Sequence, residues 1–219
     1  MNLFDIIGPV MVGPSSSHTA GAVRIGYICR QLLGGAVKQA DIFLYGSFLA
    51  TGRGHGTDRA LVAGLLGMKP DDERIPDSFR LAEEAGLVYH FGAADIRDAH
   101  PNSVKLVLSG EEEKTLEVLA ASLGGGRIKI CQVDGLDANF YGEYPTLVVH
   151  NEDRPGYVAE VTSMLSEQDI NIATMQLYRD ERGGHAVMIV ECDREVPEES
   201  LEWLTGRPGI TKVTYLGME

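Results

Sequence analysis

The chain lacks closely spaced cysteines, basic clusters and long apolar runs, and each absence removes a class of protein. Its three cysteines, Cys29, Cys131 and Cys192, are scattered along 219 residues. They give no signature of a zinc or iron–sulfur loop, so each thiol reads as a small buried hydrophobe. Lys and Arg number 19 against 32 Asp and Glu, a formal net charge of −13. Nucleic acids and anionic membranes are held by clustered cations, so neither is an expected partner. No segment approaches the roughly 20 apolar residues of a membrane span. The start has neither the basic head nor the apolar stretch of a secretory signal, and a cytoplasmic location is expected. Internal repeats and low-complexity segments are absent too. What is present is an acidic chain, 44% apolar, long enough for one large or two modest domains.

The richest stretch runs from Phe4 to Gly21. The pairs Gly8-Pro9 and Gly13-Pro14 forbid regular structure as far as Pro14. Beyond them Ala22, Ile25, Gly26, Cys29, Leu32 and Leu33 recur at the spacing of one helical face. Ser15, Ser16, Ser17 and Thr19 therefore fall at a helix N-terminus. There hydroxyls, free N–H groups and the positive end of the helix dipole either grip a carboxylate or phosphate, or simply cap the helix.

Two domains are expected, 1–140 and 146–219, with a polar, glycine-containing linker over 135–145. In the first, Ala40 to Tyr45 reads as a strand and Thr57 to Leu66 as a helix apolar nearly all round, hence buried. Residues 78–86 read as a further helix. Leu87 to Phe91, Val104 to Leu108, Leu116 to Ala121 and Arg127 to Val133 are strand candidates, giving an N-terminal α/β layered domain. In the second, the strand Thr146 to His150 precedes a helix over Pro155 to Gln168. Strands Ile170 to Arg179 and His185 to Glu191 turn through Gly183-Gly184. A short helix from Pro197 and a strand Ile210 to Leu216 complete a ferredoxin-like βαββαβ plan. The fold class is α+β.

Three further constellations can carry chemistry. Gly46 to Arg59 alternates glycines around Arg53 and His55, and reads as an open loop before the helix at Thr57. His55 is then either a tunable proton carrier beside a cation and a hydroxyl, or a solvated loop histidine. His55 and Asp58 lack a third partner at ligand spacing, so no metal site is expected in this chain. His100-Pro101-Asn102-Ser103 presents His100 and Asn102 on a stiff turn, or closes an Asx-type turn. Asn151-Glu152-Asp153-Arg154-Pro155-Gly156 fits the first turn of a helix, as an anion seat or as a turn alone.

The runs Gly8 to Gly21 and Thr51 to Asp58, with His100 to Val104, closely resemble the β subunit of the two-chain, iron–sulfur-dependent L-serine dehydratases. The remainder, with Asn151 to Gly156 and Asn171-Ile172-Ala173, resembles an ACT domain, a regulatory module that pairs with a second copy and binds amino acids. The resemblance implies conversion of L-serine to pyruvate and ammonia. It implies a 4Fe–4S cluster ligated by an α subunit and not by this chain, so that this chain is half an enzyme. A cluster iron would act as Lewis acid on the serine hydroxyl while a base takes the Cα proton; no lysine-centred pyridoxal-phosphate motif offers the other route. It assigns Ser15, Ser16, Ser17, Thr19 and Arg53 to substrate, His55 to proton transfer with Thr57 as its orienting partner, and His18 to a second proton carrier or a helix start. Asn151, Asp153, Pro155, Gly156 and Asn171 fall to a regulatory ligand, with a homodimer through 146–219. The first domain also resembles the allosteric substrate-binding domain of some phosphoglycerate dehydrogenases, which moves His100 and Asn102 toward a second anion site. A stand-alone amino-acid-sensing module without chemistry is the alternative.

Overall fold

Residues 10–218 are described by a computed structural model; Phe4 to Pro9 of the opening motif lie outside them. The chain divides into two compact units between Asp134 and Gly135.

In the first unit a π-helical turn, Ser16–Ala20, runs into α1 (Gly21–Leu33), whose face of Ala22, Ile25, Cys29 and Leu32 is fully buried. Strand β1 (Val37–Leu44) follows, then three helices, α2 (Gly46–His55), α3 (Thr57–Leu65) and α4 (Ser78–Ala85). Strands β2 (Val88–Ala93), β3 (Ser103–Gly110), β4 (Thr115–Gly124) and β5 (Arg127–Val133) complete it. They lie in the order β2-β1-β3-β4-β5. β1 runs parallel to β2 and antiparallel to β3, as the helical crossover between β1 and β2 requires. Val104, Leu106 and Leu108 of β3 stand opposite Ala120, Val118 and Leu116 of β4, and all six are buried. α1 packs on β4 and against α3. α3 is buried from Thr57 and Ala60 through Leu65, as its all-round apolarity demands.

Two segments differ from the sequence reading. Gly46 to His55 is a helix, not an open loop: Phe48 and Gly52 are buried along it, which offsets the conformational cost of its glycines. Its stop is Gly56, in the left-handed region at φ 70°, which separates α2 from α3. Within the expected linker, Leu136–Phe140 is a strand, β6. Asp134 and Gly135 turn the chain at φ 50° and 81°, and the alternation that buries Ala138 and Phe140 was masked by Asp137 and Asn139.

In the second unit β7 (Thr146–Glu152), α5 (Tyr157–Glu167), β8 (Ile172–Arg179), β9 (His185–Cys192), α6 (Glu198–Thr205) and β10 (Ile210–Leu216) follow the βαββαβ order. The sheet order is β10-β7-β9-β8, antiparallel throughout, a ferredoxin-like fold. Leu147, Val149, Met188 and Val190 form its core with Val161 and Leu165 of α5 and Leu204 of α6. Each such side chain contributes about 1.5–3 kcal/mol by leaving water.

Candidate functional site

The start of α1 and the whole of α2 meet in the first unit around His18. Ser15 caps the π-helical turn: its backbone is extended and its Oγ accepts from His18 N–H at 3.1 Å. Ser17 Oγ lies 3.1 Å from His18 Nδ1 and 3.4 Å from Ser15 Oγ. On the other side of the ring, His18 Nε2 lies 3.0 Å from Ser47 Oγ and 3.2 Å from Thr51 Oγ1, both on α2. The ring packs edge-on to buried Phe48, centroids 5.3 Å apart, and tilted against His55 at 5.1 Å. Partial burial holds the His18 imidazole below its ordinary pKa, the charge of His55 adds to that, and the Ser47 backbone works against it. At neutral pH His18 is therefore an uncharged ring with one donor and one acceptor nitrogen.

His55 ends α2 and is exposed. No hydrogen bond to another described residue holds its ring. Its backbone is pinned by Thr19, whose hydroxyl donates to His55 C=O at 3.1 Å. Thr57, expected to orient His55, is fully buried, and its hydroxyl has no hydrogen-bond partner. The orienting contact to His55 belongs to Thr19 instead. Arg53 is exposed on the last turn of α2. Ser16 contributes its carbonyl, which accepts from Gly21 N–H.

The His100 to Ser103 turn braces both walls of this site. Pro101 C=O accepts from Ser47 N–H at 2.7 Å, and Ser103 C=O from Tyr45 N–H at 3.1 Å, which fixes the start of α2. Asn102 Nδ2 donates to Ser122 C=O at 3.4 Å and Asn102 C=O accepts from Ser122 N–H, while Ser122 Oγ donates to Ser17 C=O at 2.8 Å. His100 Nδ1 accepts from Asn102 N–H at 3.1 Å. These contacts fix the turn against its neighbours, and the His100 side of it is exposed. Ser47 and Thr51 lie within the Gly46 to Arg59 constellation of the sequence reading, which gives neither of them a role. Their signal is the four-residue spacing that puts two hydroxyls on one helix face, visible only once 46–55 is read as a helix.

In the second unit Asn151 is 3% exposed near the end of β7. Its Nδ2 donates to Glu152 C=O at 2.6 Å, and its Oδ1 has no partner. Asp153 accepts from Gly183 N–H at 2.9 Å and from Arg179 Nη1 at 3.0 Å, tying this loop to the β8–β9 turn. Those contacts, the Gly183 N–H first, hold its carboxyl below the ordinary carboxylate range. Pro155 and Gly156 lead into α5, which has no side-chain cap. Asn171 is elsewhere: it donates to Asp193 at 2.7 Å, beyond the far end of β9. Asn151 pairs with Ala186 at the other end of that strand, so at about 3.3 Å per residue the two asparagines lie roughly 20 Å apart. One copy of the chain does not bring them to the same ligand.

Among the described residues no group of three His, Cys, Asp or Glu is placed to hold a metal ion. Cys29 and Cys192 are buried in different units and burial raises both thiols, Cys192 to about 11. No helix of the described chain is long and apolar enough to cross a membrane.

A family profile described as serine dehydratase beta chain matches residues 2–85, and one described as ACT domain matches residues 145–204. The probable L-serine dehydratase beta chain of Bacillus subtilis (strain 168) is 40% identical over 215 residues, covering 98% of this chain and 97% of that protein. The L-serine dehydratase beta chain of Peptoniphilus asaccharolyticus is 40% identical over 217 residues, 97% and 96% of the two chains. A D-3-phosphoglycerate dehydrogenase of Methanocaldococcus jannaschii is 27% identical over 198 residues, 90% of this chain but 37% of that one. The chain therefore belongs to the serine dehydratase beta-chain family and carries an ACT domain in its second unit.

Proposed function

We propose that this chain supplies the serine–histidine wall of an L-serine ammonia-lyase and that its ACT unit binds a regulatory amino acid. The observation that carries the reading is the His18 ring, hydrogen-bonded by hydroxyls at both nitrogens and set 5.1 Å from an exposed second histidine at a serine-rich helix start. Ser16 and Arg53 hold the substrate carboxylate, the role expected of a hydroxyl and a guanidinium near a helix N-terminus, while Ser15 and Ser17 hold the His18 ring in place. His55 takes the Cα proton, and His18 is the second proton carrier. Loss of that proton and of the β-hydroxyl gives aminoacrylate, which tautomerises to the imine and takes up water to give pyruvate and ammonia.

The described residues do not fit a 4Fe–4S cluster. Cys29 and Cys192 lie in different units and burial holds both thiols protonated, whereas cluster ligands are convergent thiolates. The cluster is assigned to the alpha subunit of this family, where it would supply a Lewis acid for the serine hydroxyl. The test is co-expression with a cluster-bearing alpha chain. The pair is expected to form pyruvate from L-serine and to lose activity in air, while this chain alone stays colourless and inactive. An intact, cluster-loaded pair that releases no pyruvate overturns the reading in favour of an amino-acid sensor without chemistry.

The regulatory ligand sits at the start of α5, where the unpartnered Asn151 Oδ1 accepts from an ammonium group and the uncapped helix N-terminus receives a carboxylate. Asn171 joins this site only from a second copy, which supports a homodimer through the ACT unit. Calorimetry on the chain is expected to show L-serine binding that weakens about tenfold or more in Asn151→Ala, the worth of one hydrogen bond to a charged group. Equal affinity in wild type and variant removes Asn151 from the site.

A further inference from the structure

The geometry points to a single tautomer of His18, with the proton on Nε2 and the lone pair on Nδ1, selected by Thr51. A threonine hydroxyl has one proton to give. Thr51 sits inside α2 and donates that proton to Ser47 C=O one turn back, at 2.9 Å. At its longer, 3.2 Å contact with His18 Nε2, Thr51 Oγ1 can then only accept. Nε2 therefore carries the ring proton and shares it between Thr51 Oγ1 and Ser47 Oγ, 3.0 Å away. Ser47 Oγ keeps its own proton for Thr51 Oγ1, 3.3 Å away.

The rest of the network follows from that one commitment. A neutral imidazole with Nε2–H has its lone pair on Nδ1, so Ser17 Oγ, 3.1 Å away, is the donor there. Ser17 has then spent its proton, and its 3.4 Å contact with Ser15 is donated by Ser15. Ser15 Oγ still accepts the His18 N–H. The hydrogen bonds run in one direction from Ser15 through Ser17 and His18 to Thr51 and the Ser47 carbonyl. His18 faces the serine segment with a basic nitrogen, and a proton reaches the ring by way of Ser17. Thr51 is a positioning residue that touches no substrate; its effect on turnover rests on the dehydratase reading, whereas the tautomer does not.

The test uses the full chain with 15N-labelled histidine near neutral pH, the His18 signals being those missing from His18→Gln. The couplings of the two ring nitrogens are expected to show the Nε2–H form in wild type and in Thr51→Ser. In Thr51→Val, which keeps the shape but loses the acceptor, they are expected to move toward a mixture of tautomers. In the assembled pair, Thr51→Val is expected to lower kcat about tenfold with KM little changed and Thr51→Ser to restore it, a smaller loss than removing a proton-transfer group outright. An Nδ1–H ring in wild type, or an unchanged spectrum in Thr51→Val, overturns the assignment. The expected spectra with a pair that forms no pyruvate leave the tautomer standing and bring down the dehydratase reading.

Discussion

Replacing His55 by glutamine, in the chain paired with its alpha subunit, is expected to lower kcat for L-serine by about 10²–10⁴-fold, the range for losing a group that moves a proton in the transition state. His55 is exposed, its ring is held by no described residue, and its peptide is anchored through Thr19. That combination leaves the imidazole free to meet a substrate from a fixed base. His18 is more enclosed and hydrogen-bonded on both sides, so it does not substitute for His55. Glutamine keeps size and polarity while removing the titration, so a large loss in a folded variant isolates proton transfer. A kcat equal to wild type removes His55 from the chemistry.

The same variant carries a pH signature. Burial and then the charge of His55 lower the His18 pKa below 6.5. The basic form of His18 is therefore already dominant below pH 6.5, and an acid limb governed by it rises at lower pH than for a free imidazole. Glutamine at 55 removes the second cause and leaves burial, so the His18 pKa rises part of the way back. The limb of the residual activity is expected to move to higher pH; a shift to lower pH contradicts the coupling of the two rings. The sign for folding is the same. A histidine whose folded pKa is depressed adds stability that is fully present above its unfolded pKa and is lost as pH falls through the lower, folded pKa.

How much of this was legible depends on what each segment advertises. The ACT unit reads directly because the β-rich apolar runs Thr146 to His150 and His185 to Glu191, buried along nearly their whole length, and a glycine pair between strands are local signals that the tertiary fold does not override. α3 reads as buried because it has almost no polar face. α2 does not read as a helix, because Gly46, Gly52 and Gly54 argue for a loop on propensity. The contacts that reverse this are non-local: Pro101 C=O on Ser47 N–H, and Phe48 in the core. The site inherits that blindness. Ser15, Ser17, Thr19, His18 and His55 stand out as a motif, whereas Ser47 and Thr51 become visible only when the helix places them one turn apart on the His18 side. Thr57 shows the converse, a motif residue whose proximity in sequence to His55 does not become contact in space.

Gly64→Ala is expected to destabilise the first unit by about 3 kcal/mol, the upper part of the range for forcing a methyl into a filled interior. The reason lies in the crossing of α1 and α3. A Cβ on Gly64 would stand 2.1 Å from Val23 O and 2.6 Å from Tyr27 N, and one on Gly26 would stand 2.4 Å from Leu61 O. These neighbours are backbone atoms of the facing helix, so no side chain can swing aside and the two axes must separate. The intrinsic gain from alanine in a helix, about 1 kcal/mol, is too small to offset this. Arg30 on α1 also donates to Leu65 C=O at 3.1 Å, satisfying an end carbonyl of α3 through the same close approach. At roughly 2–4 °C per kcal/mol for a chain of this size, the thermal midpoint is expected to drop by about 10 °C. Gly54→Ala is the control: it lies in α2 with open space around its Cβ and is expected to be neutral or slightly stabilising. α1 carries the serine and histidine start of the site, and α3 begins two residues after His55. Separating the helices therefore also pulls His18 from His55, and activity at temperatures where Gly64→Ala is fully folded is expected to fall with it. Equal midpoints for Gly64→Ala and wild type would show that the crossing is not as tight as these distances require.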